Sequence, residues 1–263
     1  LTQTLTTIGD NAFNGCSNLS ASINFTAPLT SIGTSAFQGC TKLDTDISFG
    51  TTLPDTITTI GDSAFSGCSS LSGDENSMEL VNILNLGNNI FEGCGKLQGV
   101  SLSSSLQTIG NNAFSGCSSL ITLGNDFQNA TLTSMGTSVF KDCTSLTSIS
   151  LPIILPQNII PSSTFSGCTK LESFNFDSNI VEIGDNAFNG CNNLASNLFL
   201  PIVTTIGASA FQDCYSLIYQ NSAPNPPLPI LTQTLTTIGD NAFNGCSSLT
   251  PTADYMLLTS VTT

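Results

Sequence analysis

Apolar and polar positions follow one phrase along this chain, F-x-[GD]-C-x-x-L, in which Phe, Cys and Leu stay fixed. The phrase occurs ten times, from Phe13/Cys16/Leu19 to Phe243/Cys246/Leu249, with successive cysteines 23 to 32 residues apart. Residues 168–191 form the cleanest unit. There Leu171, Phe174 and Phe176 stand at L-x-x-F-x-F, and the last two share one face of a strand. Leu146/Ile149/Leu151 and Leu97/Val100/Leu102 keep that spacing; Leu19/Ile23/Phe25 has one extra residue, and Leu194/Phe199 has a shifted Leu198. Pro152 and Pro201 end their strands, because proline cannot donate to a ladder.

A second extended piece ends in Ile-Gly, as at Ile8/Gly9, Ile32/Gly33, Ile109/Gly110, Ile183/Gly184 and Ile206/Gly207. The residue after it (Asp10, Asp62, Asn111, Thr137, Asp185 or Asp240) is of a helix N-cap type, able to accept from the first-turn N–H groups. A short Ala-Phe turn follows. Glycine precedes Cys in eight of the ten units and suits a left-handed C-cap. Asp142 and Asp213 take its place in the other two, a conformation aspartate tolerates.

A period of this length predicts a solenoid, in which each unit buries its apolar edge only against its neighbours. The expected fold is an α/β solenoid of ten coils, strand-rich, stacked about 4.7–4.9 Å apart. It has a parallel β-sheet along one face and short helical or 3-10 turns opposite. Residues 1–263 form a single unit of this kind. Residues 1–17 recur unchanged at 231–247, which points to duplicated blocks of about 230 residues and a chain that is a section of a longer array. The longest insertion, the Pro-rich 219–230, reads as a junction between blocks or as a recognition loop, the junction being favoured.

The run I-G-D-N-A-F-x-G-C-x-x-L-x-x-I-x-L-P resembles the BspA-like leucine-rich repeat, and the likeness covers essentially the whole chain. That resemblance implies a leucine-rich-repeat solenoid on a secreted or cell-surface protein, extracellular in either case. It also implies adhesion to protein or glycan ligands on host, matrix or neighbouring cells. Two features depart from the simplest pattern: a surface poor in Lys and Arg, and the lack of cap-like sequence at either end.

Composition narrows the function classes. The 18 acidic residues and four lysines, with no His, give a formal net charge of −14. Nucleic acid binding needs clustered cations, which are missing here. No apolar run is long enough to insert in a bilayer. Without His, Arg, a phosphate loop or a nucleophile elbow, an enzyme is not expected, nor a cofactor.

The ten cysteines (Cys16, Cys40, Cys68, Cys94, Cys117, Cys143, Cys168, Cys191, Cys214 and Cys246) occupy one repeat position. Coil spacing alone permits disulfides. Identical positions on stacked coils point the same way, however, so a buried thiol ladder with Cys as a small hydrophobe is the favoured reading. With no His and no C-x-x-C pair, a metal site is not expected. The scattered Asp10, Asp62, Asp185 and Asp240 are explained by capping rather than calcium, and the acidic run 74–79 by a solvated loop. Lys42, Lys96 and Lys170 form a sparse solubilising stripe.

The strand surface is the candidate binding face. Its central column is Asn24, Ser48, Ser101, Ser150, Asn175 and Phe199, the last either a contact hot spot or the result of a register shift. Thr45, Thr147, Ser148, Glu172 and Ser173 stand beside it. Asn18, Asn24 and Asn129 match N-x-[ST], acceptors for glycosylation in an exported eukaryotic protein. The alternative to adhesion is a rod, stalk or filament of tandem blocks, with end-to-end self-association through the solenoid ends.

Overall fold

The computed structural model describes residues 5–20, 29–44, 57–73, 78–80, 82–124, 126–152, 155–176, 179–196, 198, 200–218 and 234–249. The expectations placed on Asn24, Thr45, Ser48, residues 74–77, Phe199 and the insertion at 219–230 lie outside the described residues. Twelve two-residue strands run in parallel: β1 Thr7–Ile8, β2 Ser31–Ile32, β3 Thr59–Ile60, β4 Glu79–Leu80, β5 Asn85–Leu86 and β6 Ser101–Leu102, then β7 Thr108–Ile109, β8 Ser134–Met135, β9 Ile159–Ile160, β10 Glu182–Ile183, β11 Thr205–Ile206 and β12 Thr237–Ile238. They pair as β1-β2-β3, β4-β6, β5-β7-β8 and β9-β10-β11-β12. The architecture is a parallel β-solenoid with almost no helix.

The regular ladder lies elsewhere than expected. All strands except β4 and β6 sit on the Ile-Gly piece, with Leu86 and Met135 in place of Ile in β5 and β8; Gly33 N–H, for example, donates to Ile8 O at 2.8 Å. The L-x-x-F-x-F piece pairs only locally among the described residues, at β4-β6 and at the bridges Gly99–Thr122 and Ser148–Ser173. The reason lies in chain length. Units differ mostly between the repeat Leu and the Ile-Gly piece, so coils keep register near the phrase and lose it farther away.

Pro161 shows the same rule at one residue. It takes the glycine position of its unit and has no N–H to donate toward Met135 O, and the ladder is interrupted there, between β8 and β9.

The Ile-Gly glycines carry no left-handed backbone. They are small because the preceding coil is close: a Cβ on Gly33 would lie 2.5 Å from Asp10 N, and one on Gly110 2.5 Å from Asn88 N. The glycine before Cys has the other reason. Its φ is +70° to +83°, and Asp142 and Asp213 hold +59° and +60° at the same place.

The expected helical turn is replaced by a chain of tight turns. Along 11–16, Ala12, Asn14 and Cys16 N–H donate three residues back, to Gly9, Asn11 and Phe13 O. The alternate N–H groups, of Asn11, Phe13 and Gly15, donate to Thr34, Ala36 and Gln38 O of the next coil. A helix cannot propagate here, because the residue two before Phe, always Asn or Ser, has φ of 53–58°. A 3-10 turn occurs at Phe127–Asn129, whereas the turn at Pro156–Asn158 has non-helical backbone at Gln157.

The expected N-caps have another role. Asp10 Oδ1 accepts from Thr34 N at 2.7 Å, Asp62 Oδ1 from Asn88 N at 2.8 Å, and Asp185 Oδ1 from Ala208 N at 2.7 Å. Asn88 and Asn111 do the same for Asn111 N and Thr137 N. The side chain ties one coil to the next instead of closing its own turn. The hydrogen-bond chemistry is that of a cap, delivered across the stack.

Inside, the repeat phenylalanines from Phe13 to Phe243 stack in one column, with centroids 5.1–5.6 Å apart and planes within 20°. Phe174 meets this column edge-on, and Phe176 meets Phe188 and Phe211 at a 57° tilt. Leu and Cys of each phrase line its flanks, and between the outermost coils all three are essentially without exposure.

Candidate binding face

No strand forms before Pro152, where only the isolated bridge at Ser148 is paired, and the Pro156–Asn158 turn follows. Gln157 and Asn158 both have left-handed backbones, φ 55° and 57°, an uncommon pair of conformations for non-glycine residues. Asn158 is held by its N–H to Leu155 O and by its carbonyl, which accepts from Val181 N at 2.9 Å. One coil earlier, the Phe127–Asn129 turn buries Phe127 and leaves Gln128 and Asn129 exposed. These two departures from regular stacking open a trough between them.

The trough has two lobes. One, of about 380 Å³, is walled by Gln128, Asn129, Asn158, Asn175 and Asn179, with Ile149, Leu155 and Phe174 among its apolar lining. The other, of about 300 Å³, adds Ile121, Thr122, Thr147 and Ser148. Gln128, Ile149 and Ser150 belong to both. Volumes of this size suit a small ligand or a segment of a larger one. No lining residue carries a charge, so recognition there rests on amide and hydroxyl hydrogen bonds above an apolar floor. Ile121, 51% exposed, is the most exposed large apolar side chain among the described residues.

Of the candidate column, Ser150 and Asn175 are exposed and line the larger lobe together. Ser101 is half-buried in β6, against Gly124 of the next coil, and lies outside the trough. The amides Gln128, Asn158 and Asn179 were not singled out from the sequence. The signal for them was there, in the extra residues before Ala130 and in the prolines 152 and 156. Asn18 and Asn129 are exposed, and Lys42 Nζ donates to Asn18 Oδ1 at 2.7 Å.

All ten cysteines are free thiols. Eight are buried. The outermost two differ from the buried ladder expected of them: Cys16 is exposed and Cys246 half-buried. Each thiol from Cys40 onward donates to the carbonyl of a phenylalanine one coil back, as Cys94 Sγ does to Phe65 O at 3.1 Å. Burial pushes the thiols up, Cys68 and Cys168 to about 12, so they are neutral and unreactive at physiological pH.

Among the described residues no three His, Cys, Asp or Glu side chains are grouped to hold a metal ion. Among the same residues no helix is long and apolar enough to cross a membrane.

The BspA type leucine rich repeat region matches the chain in six copies, over residues 1–84, 45–155, 84–218 and 227–253. Among solved structures, a leucine rich cell surface protein from Faecalibacterium prausnitzii is similar over 98% of this chain and 80% of its own, at 22% identity and a TM-score of 0.56. That likeness shows the shared fold. A leucine rich repeat protein from T. pallidum aligns with 61% of this chain and 72% of its own, at 29% identity and a TM-score of 0.49. One from Bacteroides ovatus aligns with 92% and 80%, at 25% identity and a TM-score of 0.40. No curated protein matches. The matched family is a repeat scaffold rather than a catalytic family. On the repeat match, the inward Phe-Cys-Leu seam and the shared solenoid, this chain belongs to the BspA-type leucine-rich-repeat family.

Proposed function

We propose that this chain is a secreted or cell-surface interaction module, and that it binds a protein or glycan partner through the trough between Ile121 and Ile180. The observation that carries this reading is the joining of Ser150 and Asn175 with four further amides over an apolar floor, without a charged group. A neutral wall of paired donors and acceptors suits peptide backbone or sugar hydroxyls and disfavours polyanions. Family membership supports the placement outside the cell, and the ten stacked phenylalanines support ten coils.

Saturable binding of the purified chain to arrays of matrix proteins and glycans tests the reading, and the class that binds decides between protein and sugar. Ser150→Arg with Asn175→Arg places two cations in the neutral trough and should weaken binding at least tenfold. Lys96→Ala, far from it, should leave binding unchanged. A chain that binds neither class saturably, or a double variant that binds like the parent, sinks the proposal.

The second reading, a rod or filament of tandem blocks of about 230 residues, is favoured by the unchanged recurrence of residues 1–17 at 231–247. Regular filaments of the native material in negative stain would support it.

A further inference from the structure

Two ladders fail together at the coil junction beneath the trough. β8 and β9 are unpaired across Pro161, and among the described residues no bridge joins 121–124 to 147–150. The junctions on either side keep their bonds. Ile121 N–H donates to Gln98 O at 2.8 Å in the coil before, and Glu172 N–H of the coil after donates to Thr147 O at 2.8 Å. In a parallel pair, alternate residues turn their backbone groups to opposite neighbours. Ser148 pairs with Ser173, whose N–H also donates to Thr147 O, at 3.4 Å. That register turns residues 147 and 149 toward the coil that follows. It turns the N–H and C=O of Ser148 and Ser150 the other way, toward 121–124, and neither serine has a backbone bond among the described residues. The lobe of about 300 Å³ opens at this place, with 121–124 on one wall and 147–150 on the other.

The chemistry around these free groups says what they receive. Unpaired backbone of this kind recruits an extended segment through main-chain hydrogen bonds. The side-chain amides of Gln128, Asn129, Asn158 and Asn175 are unpartnered among the described residues. Each carries a donor and an acceptor, and so can meet the C=O and N–H of a peptide group together. The aromatic lining residues, Phe127 and Phe174, are only 1% and 6% exposed, so no ring face is offered for a sugar to stack on. Charge enters only at the margins. Asp126 directly precedes Phe127, and Glu172 bonds to Thr147; both are exposed, on a chain of net charge −14.

We propose that the trough takes an internal, extended segment of a partner protein, laid along residues 147–151 and read through its backbone. The segment has an uncharged core flanked by Lys or Arg. This rests on the reading of the trough as the binding site and names what that site recognises. Ser148 and Ser150 supply main-chain donors and acceptors, the amides clamp further peptide groups, and Ile121 and Ile149 receive alternate side chains.

The 1–263 chain is titrated with a library of short peptides capped by acetyl and amide groups, and in parallel with a glycan array. Capped peptides should bind saturably, and Ser150→Arg with Asn175→Arg should weaken them at least about tenfold. The tightest peptide is then N-methylated at one backbone nitrogen at a time, which changes the probe and leaves the fold of the protein untouched. Affinity should fall about fivefold or more at alternate positions and little at those between, as the loss of one hydrogen bond implies. Lys-flanked peptides should bind more tightly than Glu-flanked ones at low salt, and Asp126→Asn with Glu172→Gln should remove that difference. A flat N-methyl scan overturns the proposal while leaving the trough as the site. So does a glycan that binds the parent but not the double arginine variant, with no peptide binding. Equal affinity for the two flanks overturns the charged-flank half. Peptides that bind the double arginine variant as well as the parent, or no binding of either class, overturn this proposal and the trough reading together.

Discussion

Nine cysteine thiols donate to phenylalanine carbonyls that already accept the N–H of the cysteine three residues on, as Phe65 O does from Cys68 N. Cysteine fits this site because it is small, apolar and carries one weak donor. Alanine would forgo the donor, and leucine would overfill the space between coils. Two consequences follow for the thiols. In native buffer a thiol reagent should label Cys16 quickly, Cys246 slowly and the buried eight only after unfolding, against ten at once in denaturant. Fast labelling of several thiols in the folded chain would contradict the ladder. Stability should also fall in alkali. The buried thiols have folded values above the unfolded 9.0, Cys68 and Cys168 reaching about 12. Their contribution is complete below pH 9 and is lost as pH rises from 9 toward 12, because the unfolded chain ionises first. Each such thiol removes about 1.4 kcal/mol per pH unit in that window. Melting curves from pH 7 to 11 check the sign.

At the scale of the element, the Ile-Gly strand is the recurring unit, and its glycine sets how closely coils approach. Gly110→Ala should destabilise by about 1–3 kcal/mol, since its Cβ would strike Asn88 N and the Gly87 carbonyl. Gly9→Ala, whose Cβ meets no described atom within 4 Å, should be near neutral. Equal effects in denaturant melts would show that the glycines act through backbone flexibility rather than contact. These strands were only partly legible in the sequence. The Ile-Gly motif was visible as an extended piece, but L-x-x-F-x-F had the stronger alternation and drew the expected sheet. Alternation reports which side chains face inward, and Phe174 and Phe176 do so. It does not report whether the backbone finds a partner, which depends on equal lengths in the next coil. The cap-type residues misled for a related reason. Asp10 and Asp62 do accept backbone N–H groups, from a coil 24 or 26 residues away, and no local pattern encodes that distance.

The whole molecule is close to one-dimensional: the phenylalanine column passes through each coil and couples each only to its neighbours. Phe114→Ala should cost about 3–5 kcal/mol, with its ring stacked on both Phe91 and Phe140. In a linear stack that break should also uncouple the halves, so denaturant unfolding that is one transition in the parent becomes two. A single shifted transition would mean coupling through other contacts. What the sequence by itself determined is the inward seam: Phe, Cys and Leu at fixed offsets, the left-handed glycine before Cys, and with them the solenoid. The seam and the turn are decided by residue type and spacing inside one coil, and their recurrence along the chain shows the solenoid. The tertiary structure alone decided which strands pair, where the Asp and Asn oxygens bond, and that Ser150 and Asn175 share a trough while Ser101 does not. Each of those depends on how two coils of unequal length lie on each other, and that offset is settled only when the coils stack.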